Sequence, residues 1–228
     1  YKKAITIAEL DTSIDRVIAG MEVTPLINNK SKRLIAYHEI GHAIIGTLLP
    51  NHDPVQKVTL IPRGQAKGLT WFTPTNDQNL ISKTQILSKI MGALGGRATE
   101  EIVFGNTEVT TGASNDLQQV TVMARQMVTR FGMSLIGPLS LENENSNPFL
   151  GRNISNNNEY SDTIIIKIDK QIEKIVSECY QKVLKLIEQN RVVIDKLVDI
   201  LIEQETIEGY KLEEIITEYT KIPFKIIY

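Results

Sequence analysis

Cysteine is nearly absent: Cys179 stands alone in 228 residues. One thiol cannot close an internal disulfide, which suits a reducing compartment, and its place on an apolar helical stripe makes it a core residue. An excess of one charge is missing too. With 25 Lys and Arg against 27 Asp and Glu, the net charge is −2, which gives no basis for holding nucleic acid or an anionic membrane. No apolar run approaches the roughly 20 residues of a membrane span, and no signal peptide is visible. Histidine is scarce, with three in the chain. The hydrophobic content of 42% is ordinary for a globular protein, and the length suits one large domain or one and a half. The sequence opens on Tyr1 rather than Met, and so reads as a piece of a longer chain.

Two of the three histidines fall in one short pattern, His38-Glu39-Ile40-Gly41-His42. This is His-Glu-x-x-His, the zinc metalloprotease motif. Residues four apart share a helix face, so both imidazoles can aim at one metal ion. Glu39 sits one step round and can reach a water on that metal. A zinc-bound water has its pKa lowered to about 7, and a carboxylate beside it can take the proton. The same five letters also describe a surface helix with two solvated histidines. The neighbours argue otherwise: Leu34, Ile35, Ile40, Ala43, Ile44, Ile45, Leu48 and Leu49 make the helix apolar nearly all round, hence buried. Histidines and a glutamate on a buried helix need partners.

Zinc needs a third protein ligand and one open position. The metzincin extension is absent, because Ile45 and Leu48 stand where it places Gly and His. The remaining candidates are His52, Glu100, Glu101 and Asp116. His52 lies in a turn-like Asn-His-Asp-Pro after the helix and reads as a solvated loop residue. Glu100 and Glu101 close the tract Gly95-Gly96-Arg97-Ala98-Thr99-Glu100-Glu101, inside a helix opened by the capping box Ser82-Lys-Thr-Gln85 and running to about Phe104. Two glycines in a helix cost about 1 kcal/mol each against alanine. Close helix approach is the usual compensation, so the tract is expected to pack near Gly41. One of the two glutamates would then hold a zinc histidine from behind or serve as third ligand; a solvated charge is the plain alternative. Asp116 sits in the first turn of a helix with apolar positions Leu117, Val120, Ala124, Met127, Val128 and Phe131. An aspartate there is favoured by the helix dipole alone, and is also a good zinc ligand.

The rest of the chain supplies scaffold. A helix from the capping box Thr6-Ile-Ala-Glu9 to near Gly20 carries no chemistry, and a linker with Pro25 follows. Ser31 is expected to cap the metal-motif helix. Val58, Leu60 and Ile61, a Gly-containing turn over 63–68, and Leu69-Thr70-Trp71-Phe72 form a β-hairpin. Its second strand could pair with an extended substrate backbone, although a hairpin packed on helices explains the pattern equally well. Residues 142–159 read as a mobile polar loop in which the sequon at Asn153 is discounted. A helix to Asn190, another over 191–204 and a shorter one around Leu212, Ile215, Ile216 and Tyr219 form a helical hairpin plus a cap.

Taken together, these segments resemble the peptidase domain of the FtsH family of membrane-anchored, ATP-dependent zinc proteases. The resemblance covers essentially the whole chain and is strong over residues 31–43, 60–74, 93–105, 110–124 and 125–138. The tract Leu-Ile-Pro-Arg-Gly-Gln-Ala-Lys-Gly-Leu-Thr-Trp-Phe-Thr-Pro at 60–74, with Ala-Arg-Gln-Met-Val-Thr-Arg-Phe-Gly-Met at 124–133, is most similar to the cyanobacterial and chloroplast branch. The resemblance implies that Asp116, in the Ser-Asn-Asp-Leu tract, is the third zinc ligand beside His38 and His42, with one Zn2+ per chain. Glu39 is then the catalytic base, and Glu100 and Glu101 belong to the supporting structure near the site. It further implies a mainly α fold: a helical zinc-peptidase domain with a small β-hairpin, Leu69 to Phe72 on its substrate side, and a C-terminal helical hairpin. Residues 1–24 resemble the end of an AAA-type ATPase module plus linker, and 25–228 the peptidase domain. No Gly-x-x-x-x-Gly-Lys-Ser/Thr loop occurs, so ATP is expected only in a module outside this sequence, and the membrane only through N-terminal segments. For the parent protein the resemblance implies a homo- or hetero-hexamer on the stromal side of the chloroplast thylakoid membrane, acting on unfolded or damaged membrane proteins; the chain by itself is expected to be soluble. Two rivals remain. One is a non-catalytic chaperone or adaptor domain. The other is a gluzincin-type peptidase using Glu100 or Glu101 as ligand.

Overall fold

The computed structural model describes residues 29–64, 67–74, 80–141 and 161–221, together with 5–6, 9–10, 13–14, 16–17 and 20–22. The elements are α1 (Asn29–Leu48), β1 (Val55–Thr59), β2 (Leu69–Phe72), α2 (Lys83–Phe104), α3 (Ser114–Thr129), α4 (Asp162–Gln189), α5 (Arg191–Gln204), β3 (Thr206–Glu208) and α6 (Gly209–Tyr219). The fold is mainly α, as the apolar periodicities predict. Among the described residues no helix is long and apolar enough to cross a membrane. About half of the expected N-terminal helix, and all of the polar stretch 142–159, lie outside the described residues; Glu9, Leu10, Ser13, Ile14, Arg16 and Val17 are helical.

Two helices form the centre. Ile40, Ile44 and Ile45 of α1 and Ile90 and Leu94 of α2 are fully buried, and α1 packs chiefly on α2. Their approach is closer than side chains allow. A Cβ added at Gly95 would stand 2.5 Å from the Gly41 carbonyl oxygen and 2.8 Å from its carbon. The glycine tract expected to pack near Gly41 therefore does so, with Gly95 meeting it backbone against backbone. α2 begins with the predicted box, Ser82 accepting from the Gln85 amide while the Gln85 side chain accepts from Ser82. It stops at Gly105, whose φ of +91° suits a residue without a Cβ.

The C-terminal helices straddle this pair. α4 places Ile168, Ile172, Cys179, Val183 and Ile187 in the core at helical spacing. Only Asn190 separates it from α5, yet α4 packs mainly on α2 and α5 on α1. Tyr180 of α4 donates to Glu101 of α2 at 2.6 Å. Tyr37 of α1 donates to Asp195 of α5 at 2.8 Å. Both helices that flank the histidines are thus pinned from behind.

Several local expectations are corrected. α1 starts by Asn29, so Ser31 lies within the helix and is not its cap. The first strand is Val55–Thr59, because Leu60 already leaves the ladder to donate its amide to Glu205. The hairpin gains a third strand: β3 pairs with β1 through Lys57↔Glu208, Val58↔Ile207 and Thr59↔Thr206, giving the order β2-β1-β3. Among the described residues β2 is consequently an edge. Leu117 and Phe131, read as apolar positions of α3, are exposed, since the buried face is Val120, Ala124, Met127 and Val128.

The glycine contact yields a signed expectation. Alanine at position 95 gains about 1 kcal/mol of helix propensity. Wedging a methyl against a rigid backbone costs about 1–3 kcal/mol, and here both sides of the contact are main chain. Gly95→Ala should therefore lower the urea midpoint and the thermal midpoint. An unchanged or raised midpoint would show that α1 and α2 separate at little cost.

Candidate metal centre

α1 presents His38 and His42 on one face, one turn apart, and α2 lies across them. The histidine ring nitrogens are sorted by their partners. His42 Nδ1 donates to the Gly92 carbonyl at 2.8 Å, and His38 Nδ1 meets Glu100 Oε1 at 2.7 Å. Each acceptor fixes the proton on Nδ1 and turns the Nε2 lone pair inward. The two Nε2 atoms stand 3.0 Å apart. Asp116, in the first turn of α3, brings Oδ2 to 3.3 Å from His38 Nε2 and 3.5 Å from His42 Nε2. Among the described residues this is the one group of three His, Cys, Asp or Glu side chains close enough to share an ion.

Three electron-pair donors aimed at one small volume repel unless a cation lies between them. The separations suit zinc. Bonds of about 2.0–2.1 Å in a tetrahedron place neighbouring ligand atoms about 3.3 Å apart. The space is also kept open: a Cβ at Gly96 would lie 2.6 Å from both Nε2 atoms and 2.5 Å from His38 Cε1. Two imidazoles and one carboxylate, with room beside them, fit zinc with an open position.

Behind the first layer, Glu100 is completely buried. Its second oxygen accepts from the Thr110 amide at 2.8 Å and the Thr110 hydroxyl at 3.1 Å. Thr110 opens the short turn that delivers Asp116 on α3. One carboxylate therefore links the His38 ring to the loop carrying Asp116. Glu101 does not join this group; it faces away to Tyr180. Glu39 is buried beside His38, and Thr70 of β2 donates to its Oε2 at 2.8 Å. Leu69, Trp71 and Phe72 share that edge strand. His52 is corrected: it is buried rather than solvated, packed edge-to-face on Phe72 with ring centroids 4.6 Å apart and wedged over Gly92. It stands outside the ligand cluster. His38, His42, Asp116, Glu39, Glu100 and Thr70 border a cleft of about 1140 Å³, whose apolar walls include Leu34, Ile35, Phe72 and Met123.

The sequence reading missed Gly92 and Thr110. Gly92 and Gly96 lie four apart on the same helix, so the signal was present: a glycine face, not merely a glycine pair, opposes the histidines.

Titration follows from the geometry. Burial disfavours a charged His38, but hydrogen bonds to Asp116 and Glu100, with Glu39 close by, outweigh it and raise its pKa to about 10. Burial disfavours charge on Asp116 as well, yet its bonds to His38 and His42 leave its pKa well below the usual carboxylate range. Glu100 is likewise lowered, against burial, by His38 and Thr110. Without metal the cluster thus holds a proton in the place of the ion. Zinc must displace it, so uptake near neutral pH should release about one proton per ion, and affinity should fall about tenfold for each unit of acidification. Calorimetry in buffers of different ionisation enthalpy measures this; uptake without proton release would mean that the imidazoles are neutral beforehand. Gly96→Ala should fold, being a helix-favouring change, and should fail to take up zinc by mass spectrometry; full uptake would refute the steric argument.

Comparison with known proteins agrees with this geometry. The family model for Peptidase family M41 matches residues 25–215. The chain is 56% identical over 217 residues to an ATP-dependent zinc metalloprotease FtsH of Cyanidium caldarium, covering 95% of this chain and 35% of that protein. It is 52% identical over 229 residues to one from Trieres chinensis, covering 100% of this chain and 36% of that protein. It is 52% identical over 222 residues to the ATP-dependent zinc metalloprotease FTSH 2, chloroplastic, of Arabidopsis thaliana, covering 97% and 32%. The chain spans about a third of the length of these relatives. With a family match over most of its length, the chain belongs to peptidase family M41.

Proposed function

We propose that His38, His42 and Asp116 hold one zinc ion and that Glu39 is the general base of an endopeptidase acting on unfolded polypeptide. The observation carrying this reading is the convergence of two Nε2 atoms and one carboxylate oxygen within 3.5 Å, with Glu39 next in sequence to one of the ligands. When bound, zinc supplies a Lewis acid that polarises the scissile carbonyl and lowers the pKa of a water to about 7. The Glu39 carboxylate would take a proton from the attacking water and pass it to the leaving amine. Glu100 and the Gly92 carbonyl keep both rings in the tautomer that leaves Nε2 unprotonated. Strand β2 offers its outer edge to an extended peptide, whose side chains enter the apolar cleft. Helices bury the walls and exclude bulk water from one side, which strengthens each charge interaction.

Two rival readings are less well supported. A third ligand at Glu100 is disfavoured because its carboxylate engages Nδ1 of His38 and Thr110, on the far side of the ring. A non-catalytic adaptor would have no use for three convergent acceptors and an adjoining acid.

For the parent protein, we infer an ATPase module ahead of residue 25, with residues 1–24 as its end, and a peptidase domain over 25–228. The family match beginning at residue 25 supports this division. The words "ATP-dependent" and "chloroplastic" in the relatives' names support an ATP-driven protease of plastids. A hexameric ring on the stromal side of the thylakoid membrane, degrading unassembled or damaged membrane proteins, is the assembly this reading favours.

Three variants separate the roles. Glu39→Gln should keep one zinc per chain and lose about 10²- to 10⁴-fold in hydrolysis of an unfolded substrate such as casein. Asp116→Ala should lose most of its zinc. Glu100→Gln should bind zinc about 10- to 100-fold more weakly. Full zinc retention by Asp116→Ala, or full activity in Glu39→Gln, would overturn the assignment.

A further inference from the structure

A glutamate on a helix has three side-chain torsions, and its carboxylate can sweep a wide volume. Glu39 is held from two directions, and both come from the same stretch of chain. Thr70 Oγ1 lies 2.8 Å from Glu39 Oε2 and 3.0 Å from the Glu39 carbonyl oxygen. One hydroxyl thus contacts both the root and the tip of the same residue, which fixes the torsions between them. Gly68, just before β2, closes the other side: a Cβ there would stand 2.8 Å from Glu39 Cγ and 2.9 Å from Oε1. Thr70 itself is fixed by the sheet, where it pairs with Val58. On the outer side of β2 there is no further strand among the described residues.

We propose that Thr70 is a positioning residue that ties the general base to the strand along which the substrate lies. One element then sets both distances that matter, from peptide to strand and from strand to base, so a peptide in register with β2 is in register with Glu39. This rests on the reading of Glu39 as base and β2 as substrate strand. A hydroxyl donates one hydrogen bond and accepts two. It can therefore hold Glu39 throughout the cycle. It donates to Oε2 while the carboxylate is charged. It accepts from the carboxyl once Glu39 carries the proton, its own hydrogen then turning to the main-chain oxygen. Threonine also suits the place because a β-branched side chain is at home in a strand.

The test uses the zinc-loaded chain and an internally quenched peptide of casein sequence. Thr70→Val keeps the branched shape and removes the hydroxyl; Thr70→Ser keeps the hydroxyl and removes the methyl. Thr70→Val should lower kcat about 10- to 100-fold, the scale of a hydrogen bond to a charged group, with KM within about threefold and zinc still one per chain. Thr70→Ser should restore kcat to within about threefold of the parent. Gly68→Ala, pressing on Glu39 from the other side, should lower kcat with zinc retained. A normal kcat in Thr70→Val, a defect that Thr70→Ser fails to restore, or an effect on KM alone would each overturn the proposal. Glu39→Gln run alongside separates the two levels. If it is inactive while Thr70→Val is fully active, only the positioning role fails. If Glu39→Gln is itself active, the reading beneath it fails.

Discussion

Two imidazole nitrogens and a carboxylate oxygen, all electron-pair donors, are crowded within 3.5 Å of one another. Such crowding is unfavourable by itself, and the rest of the domain can be understood as the means of holding it until a cation arrives. A proton is the weaker occupant and zinc the stronger one. A histidine shifted up beside carboxylates shifted down is what such a pairing of opposite charges produces.

Holding the cluster has a local cost. α2 carries glycines at 92, 95 and 96 in the middle of a long helix, each about 1 kcal/mol worse than alanine. Each absent side chain has a separate use. Gly95 lets two backbones touch, Gly96 leaves the cation its room, and Gly92 exposes a carbonyl to His42 while admitting His52. Buried packing elsewhere offsets the loss. Ile40, Ile44, Ile90 and Leu94 are fully buried around the same crossing, at about 1.5–3 kcal/mol per side chain.

Local rules made much of this legible in the sequence. His-Glu-x-x-His on an apolar helix puts two imidazoles on one face with a carboxylate beside them because helical spacing is invariant. The Ser82 box and the stop at Gly105 follow from capping chemistry, and the glycine pair announced a close approach. What escaped is non-local. Spacing alone left the third member of the cluster open among four residues, since nothing near Asp116 in the chain reveals that its turn folds back onto α1; the family resemblance pointed to Asp116, and the structure brings it to the two imidazoles. His52 looked like a turn residue because its neighbours are polar, and only the packing of Phe72 and Gly92 buries it. Glu100 and Glu101 are equivalent by composition, but one helical step sends the first to His38 and the second to Tyr180. Strand β3 is three residues long with one buried side chain, below what periodicity can register.

That short third strand ties the two ends of the domain into one folding unit. Thr206 meets Thr59 at 2.9 Å across 147 positions of sequence, and the α5 terminus preceding it turns in the left-handed conformation at Glu205, φ 60°. A lone two-stranded hairpin is marginal in water. Closing so long a loop is slow compared with the helical contacts around it. On a growing chain made at about 5–20 residues per second, the gap amounts to roughly 7–30 s. The helix bearing His38 and His42 emerges first, whereas the sheet beside it settles only when residues 206–208 have been made, so a nascent chain carries both imidazoles well before the strand beside them is backed by a complete sheet.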